Sequence, residues 1–179
     1  MARNRTDMKE VLNFMRGKLD TTRLKFHYLK IGKAEPLLDQ LRELTEEFTT
    51  WDQYEAESFS DFYFGSSYMD YDAALLNLDI SDENVTDIRR DFWQEFIWKT
   101  QDMPQLLAIV IPNSNSFGSL SRAQVIEALS LIRLTDRPFE LFEHGVHSPE
   151  DILSWITSYA SIVHRKKREV EEEKTETEN

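Results

Sequence analysis

Apolar residues recur every three or four positions in four stretches of the chain, which is typical of amphipathic helices. Pro36 suits the first turn of one helix, and Ser121 with Gln124 forms a capping-box pattern before another. The pattern therefore predicts helices over the following stretches: Leu37 to Trp51, Ser81 to Thr100, Val125 to Ile132, and Ile152 to Val163.

Two shorter helices complete the predicted set. Thr6 or Asp7 can cap a first helix that ends near Gly17. Asp136 and Pro138 are start signals for a short helix that carries Phe139, Leu141 and Phe142. The fold class expected from these elements is mainly α, a single compact helical domain of five to seven helices.

Two apolar segments fit more than one structure. In residues 24–31 the apolar positions alternate like a strand, yet Leu24, Tyr28 and Ile31 also share a helical face, and we favour a helix. The run Leu106 to Ile111 can be a buried strand or a short buried helix. A minor strand element near 106–111 therefore stays open.

The domain organisation follows from the change in composition near residue 164. Residues 1–163 form the predicted helical domain, since one domain suits a chain of 179 residues. Residues 164–179 contain five Lys or Arg and six Glu with almost no apolar residue. We predict a charged C-terminal extension that is helical or disordered.

Composition excludes several classes of protein. The absence of cysteine rules out disulfide scaffolds, thiolate zinc sites and cysteine nucleophiles. The polar N-terminus is unlike a secretory signal, and the longest apolar run is too short to span a bilayer. We therefore expect a cytoplasmic protein without a membrane partner.

The net charge of −12 disfavours direct binding to nucleic acid. The negative charge is concentrated in residues 34–103, where four Lys or Arg face eighteen Asp or Glu. This distribution favours a protein partner with a basic surface.

The segment from Trp51 to Asp72 is rich in both aromatic and acidic residues. Aromatic side chains supply contact area at low entropic cost, and carboxylates attract a basic partner. The predicted partner-binding residues are the anchors Trp51, Phe62, Phe64, Tyr68 and Tyr71, with Asp61, Asp70 and Asp72 as steering charges. The alternative is that these rings pack into the core.

Catalytic motifs are absent from the sequence, which has no G-x-S-x-G elbow, no Walker P-loop and no G-x-G-x-x-G pattern. His144 and His147 lie three apart beside Glu140 and Glu143, which leaves a metal-assisted hydrolase as one alternative. The main expectation is a protein that is not an enzyme and that has no cofactor and no metal site.

Size, acidity and the charged tail make the chain similar to small acidic helical accessory proteins of bacteriophages and bacteria, including phage tail assembly chaperones. The density of aromatic and acidic residues from Trp51 to Asp72, with the absence of catalytic motifs, predicts a non-enzymatic adaptor, assembly chaperone or inhibitor that acts by protein–protein interaction. A nucleic-acid mimic that blocks a basic groove is a further alternative. The sequence leaves the partner and any self-association open.

Overall fold

Five parallel strands form the centre of the protein. The computed structural model describes residues 24–45, 49–61, 71–101 and 106–159. The strands are β1 (Leu24–Ile31), β2 (Thr49–Ala56), β3 (Ala73–Leu78), β4 (Leu106–Ile111) and β5 (Phe139–Glu143). They pair in the order β2-β1-β3-β4-β5, and every pairing is parallel. The sheet is therefore open and doubly wound.

Helices connect and cover the strands. They are α1 (Leu38–Thr45), α2 (Val85–Asp91), α3 (Arg122–Ala128) and α4, which spans residues 149–159. Helix α2 continues as a π-helical segment, Phe92–Ile97, and ends in a 3₁₀ turn, Trp98–Thr100. Further 3₁₀ turns lie at Phe59–Asp61 and Leu131–Arg133.

The helices divide between the two faces of the sheet, and each face has its own apolar core. Leu41 of α1 and Ile156 of α4 belong to the core on one face. Phe92 and Phe96 of α2 and Val125 of α3 belong to the core on the other. Burying both faces in this way is the usual arrangement of a parallel sheet.

The prediction of a mainly α-helical domain is wrong, since the protein is an α/β structure built on a parallel sheet. Residues 24–31 show the physical reason. Leu24, Phe26 and Tyr28 enter one core, whereas Leu29 and Ile31 enter the other. The alternation that runs from Leu24 to Tyr28 breaks at Leu29, because a strand that is buried on both faces carries apolar residues on both sides.

Other element predictions also change. Residues 106–111, left open above, form the fully buried strand β4. The predicted helix that carries Phe139 and Leu141 is instead strand β5, which pairs with β4. The helix predicted to reach Trp51 ends at Thr45, and Trp51 lies on β2.

Several helix predictions are confirmed. The capping box is present, with the Ser121 side chain accepting from the Gln124 amide and the Gln124 side chain accepting from the Ser121 amide. A helix also follows Ser148, whose hydroxyl accepts a bond from the Asp151 amide.

The predicted first helix and the charged C-terminal extension lie outside the described residues, so the boundary at residue 164 stays a prediction. Among the described residues, no helix is long and apolar enough to cross a membrane.

Candidate functional site

The loops that follow β1, β3, β4 and β5 meet at the carboxyl edge of the sheet. Strand β1 lies between β2 and β3, so the connection that leaves β1 runs to one side of the sheet and the connection that leaves β3 runs to the other. In open α/β sheets, ligands bind outside the carboxyl ends of the strands at such a switch point. The β1/β3 end of this edge is therefore the candidate site.

The loop after β1 is held against the loop after β3. Gly32 has a φ of +72°, and its amide donates to the Ala56 carbonyl at 2.8 Å. The next amide, that of Lys33, donates to Asp79 Oδ2 at 3.1 Å. A Cβ on Gly32 would lie 3.0 Å from the Asp79 Cβ, so both the close approach and the positive φ favour glycine here.

A fully buried amide, that of Asn77, joins three parts of this edge. Its Nδ2 donates to the Tyr28 hydroxyl at 2.8 Å and to the Glu35 carbonyl at 2.7 Å. Its Oδ1 lies 3.2 Å from His144 Nε2. The Tyr28 hydroxyl also accepts from the Leu37 amide at 3.4 Å. Asn77 thereby fixes the loop after β1 and the residue that follows β5.

Burial keeps the titratable members of this network neutral. Desolvation lowers the pKa of His144, and the Glu35 carboxylate, 4.0 Å from Nδ1, opposes that shift. Desolvation also raises the pKa of the Tyr28 hydroxyl. At neutral pH both groups form hydrogen bonds as uncharged donors and acceptors.

The loops after β4 and β5 form the other half of the edge. Glu143 Oε2 accepts from the Ser114 amide at 3.2 Å, and the Glu143 amide donates to His147 Nδ1 at 2.9 Å. His147 therefore caps a turn while His144 contacts Asn77. Among the described residues, no group of three His, Asp or Glu side chains is placed to hold a metal ion.

The structure separates the residues predicted to bind a partner. Trp51 is 8 % exposed, packs edge-on against Phe26 and donates from Nε1 to Thr45 Oγ1 at 2.9 Å. Tyr71 is 7 % exposed, and its hydroxyl donates to Asp52. Both rings lie in the cores, as the alternative interpretation of this segment expected.

The acidic residues that were predicted to steer a partner differ in their exposure. Asp72 is buried and accepts from the Lys25 amide at 2.9 Å, whereas Asp61 lies in an exposed turn and accepts from the Ser58 amide. The remaining predicted residues lie outside the described part: Phe62, Phe64, Tyr68 and Asp70. The partner-binding surface stays a prediction.

The residues at the carboxyl edge were missed by the sequence prediction. Gly32 and Lys33 directly follow the segment Leu24–Ile31, which is rich in apolar residues, and Asn77 is the one polar residue within Ala73–Leu78. If these two segments are assigned to strands, the sequence does contain signals for the site. One is a glycine and a lysine just after a buried strand, and the other is a single amide inside a second buried strand.

Comparison with known proteins gives a likeness in structure alone. No protein-family model matches the sequence, and no curated protein matches it. Among solved structures, the chain is similar to the Arl6 BBS3 small GTPase from Trypanosoma brucei with the bound nucleotide analogue GppNp. The TM-score is 0.54 at 14 % sequence identity, over 78 % of this chain and 98 % of that one.

This likeness overturns the functional expectations drawn from a helical fold. The predicted adaptor, assembly chaperone or inhibitor of phage type is not supported, because the chain has an α/β fold that is similar to the structure of a small GTPase. The prediction that the protein is not an enzyme is likewise not supported, because a structure similar to this chain is described as a small GTPase. The nucleic-acid mimic and the metal-assisted hydrolase at His144 and His147 likewise find no support.

Proposed function

We propose that the protein binds a guanine nucleotide at the carboxyl edge of its sheet, between the loops after β1 and β3. The observation that carries the proposal is the shared architecture with a small GTPase that holds a nucleotide analogue. The switch point beside β1 supports the same location, because it is where open α/β sheets place their ligands.

Lys33 is the residue that would contact the phosphate groups. Its side chain is exposed, and the residue is the second after β1, next to the tight turn at Gly32. The surrounding charges are unfavourable, because Asp79 accepts from the Lys33 amide and Glu35 follows two residues later. A single lysine beside two carboxylates predicts weak binding, with a dissociation constant of tens of micromolar or more, about −6 kcal/mol.

A Walker-type cradle for a triphosphate with Mg²⁺ does not fit this loop. The sequence has no GxxxxGK[ST] run, the pattern that supplies the phosphate-binding lysine and the metal-binding hydroxyl. The Lys33 and Leu37 amides, which could otherwise face a phosphate, donate to Asp79 and to the Tyr28 hydroxyl. The nucleotide would therefore be bound without a metal cradle.

The test is a titration with fluorescently labelled GppNp and GDP, followed by anisotropy, in Mg²⁺ and in EDTA. We expect saturable binding that EDTA does not abolish and that Lys33→Glu weakens at least tenfold, or about 1.4 kcal/mol. Release of phosphate from GTP by the same samples measures turnover.

Lys25→Glu is the matched control, because Lys25 is also exposed and lies at the opposite end of the same strand. Its affinity should stay within about twofold of the parent, a difference near 0.4 kcal/mol. No binding at millimolar nucleotide, or an equal loss in the two variants, would contradict the proposal.

A further inference from the structure

A basic groove lies between α2 and the turn Leu131–Arg133, and it shares no residue with the carboxyl edge described above. The groove has a volume of about 490 Å³. It is lined by Thr86, Arg89, Arg90, Trp93, Gln94, Ser130 and Arg133. The five lining residues of α2 follow one another at helical spacing, so they form one stripe along the helix.

A fixed aromatic ring supports this groove. Trp93 is half-buried, and its Nε1 donates to the Leu129 carbonyl at 2.7 Å. Its ring packs edge-on against the buried Phe92 ring, with centroids 5.9 Å apart. The indole is therefore held by the core while part of it faces the groove.

The turn that carries Arg133 is equally constrained. Ser130 has a φ of 53°, a left-handed conformation that is uncommon for residues other than glycine. Its carbonyl accepts from the Arg133 amide at 3.0 Å. The Arg133 guanidinium lies 5.9 Å from the Trp93 ring centroid, which is within the range of a cation–π contact.

Basic side chains are concentrated in this groove, although the protein as a whole is acidic. Three of the ten Lys and Arg residues in the described part of the chain line it, although the whole chain has a net charge of −12. Arg90 pairs with Asp87 and Asp91 on its own helix. Arg89 and Arg133 are exposed, and neither forms an ion pair with a carboxylate of the described residues.

We propose that this groove binds an acidic peptide segment of a partner protein. Guanidinium groups match carboxylates through paired hydrogen bonds, so Arg89 and Arg133 would each hold one acidic side chain. The Trp93 ring supplies apolar contact beside them. A short acidic segment suits the groove better than a long polyanion, which the rest of the surface repels.

The experiment measures the anisotropy of a fluorescein-labelled octaglutamate peptide titrated with the full chain, at low and high salt. We expect saturable binding that weakens with salt, and no binding of an octaglutamine peptide. The double variant Arg89→Glu with Arg133→Glu should bind the octaglutamate at least tenfold more weakly.

A second double variant, Lys25→Glu with Lys33→Glu, changes the net charge equally at two exposed positions on other parts of the surface and should keep its affinity within about threefold. Circular dichroism checks that both variants fold. The proposal is overturned if the octaglutamate does not bind, or if the two double variants lose affinity equally. Tighter binding of a single-stranded oligonucleotide than of the peptide would also overturn it, in favour of a nucleic-acid ligand.

Discussion

Each end of the parallel sheet has a network of contacts among polar and aromatic side chains that includes one histidine. At the amino end, His27 stacks on Tyr71 at 4.7 Å, and the Tyr71 hydroxyl donates to Asp52. At the carboxyl end, His144 contacts Asn77. Burial is the main cause that lowers the pKa of both imidazoles, and a nearby carboxylate opposes the shift in each case.

The networks differ in what they hold. The amino-end network joins side chains on or beside neighbouring strands, so its main effect is on the stability of the sheet. The carboxyl-end network holds the loop after β1 by its backbone, through the Glu35 carbonyl and the Leu37 amide. The first network therefore secures strands, and the second shapes the loop where we propose that a ligand binds.

The largest effect is expected from removing the centre of the carboxyl-end network. Asn77→Leu leaves the Glu35 carbonyl and the Tyr28 hydroxyl without their buried donor, which costs about 2–4 kcal/mol of unfolding free energy. Urea unfolding measures this loss. The exposed Asn115→Leu serves as the control, with a change of about 0.5 kcal/mol or less. Equal midpoints for the two variants would show that the network does not hold the loop.

The amino-end network is tested by the dependence of the unfolding free energy on pH. The pKa of His27 is lowered from 6.5 to about 4 in the folded protein, so the unfolded chain binds more protons between these values. Its contribution is complete above pH 6.5 and declines as the pH falls toward 4, by about 2–3 kcal/mol. Urea unfolding over this pH range compares the parent with His27→Phe, which keeps a ring against Tyr71. The difference between the two proteins gives the contribution of His27 protonation. Parallel stability curves for the two proteins would contradict the assignment.

A smaller loss of stability is expected from alanine substitutions at two glycines, which distinguish the cost of a left-handed backbone from the cost of a close contact. Gly32 and Gly118 have φ values of +72° and +75°, but a Cβ on Gly118 would meet nothing within 4 Å. Both alanine variants should lose about 1 kcal/mol from the left-handed conformation. Gly32→Ala should lose about a further 1 kcal/mol because its Cβ meets that of Asp79. Thermal unfolding compares them, and identical losses would show that the loops yield freely.

The sequence predicted amphipathic elements well and buried strands poorly. The capping box at Ser121 marks α3 because its signals are local. Ala73–Leu78 was missed because all six residues are buried, so no periodicity distinguishes the strand from a helix. Before β5, Asp136 and Pro138 predict a helix start that the structure does not have. Instead the neighbouring Arg137 is buried and donates to the Thr100 hydroxyl at 2.8 Å and to its carbonyl at 2.9 Å.

The candidate site could not be predicted from local sequence patterns, for a related reason. Gly32, Asn77 and His144 are far apart in sequence, and parallel pairing alone brings them to one edge. Without the strand order, Asn77 is a lone amide in an apolar run and His144 is one of four histidines. The site therefore depends on topology, which sequence periodicity does not encode for strands buried on both faces.

The most direct test of the proposed nucleotide site is to map GppNp onto the two ends of the sheet by NMR of the ¹⁵N-labelled chain. We predict concentration-dependent amide shifts at Gly32, Lys33 and Asp79, with His27 and Asp52 at the other end unchanged. Shifts confined to the amino end, or no shifts at millimolar GppNp, would contradict the account.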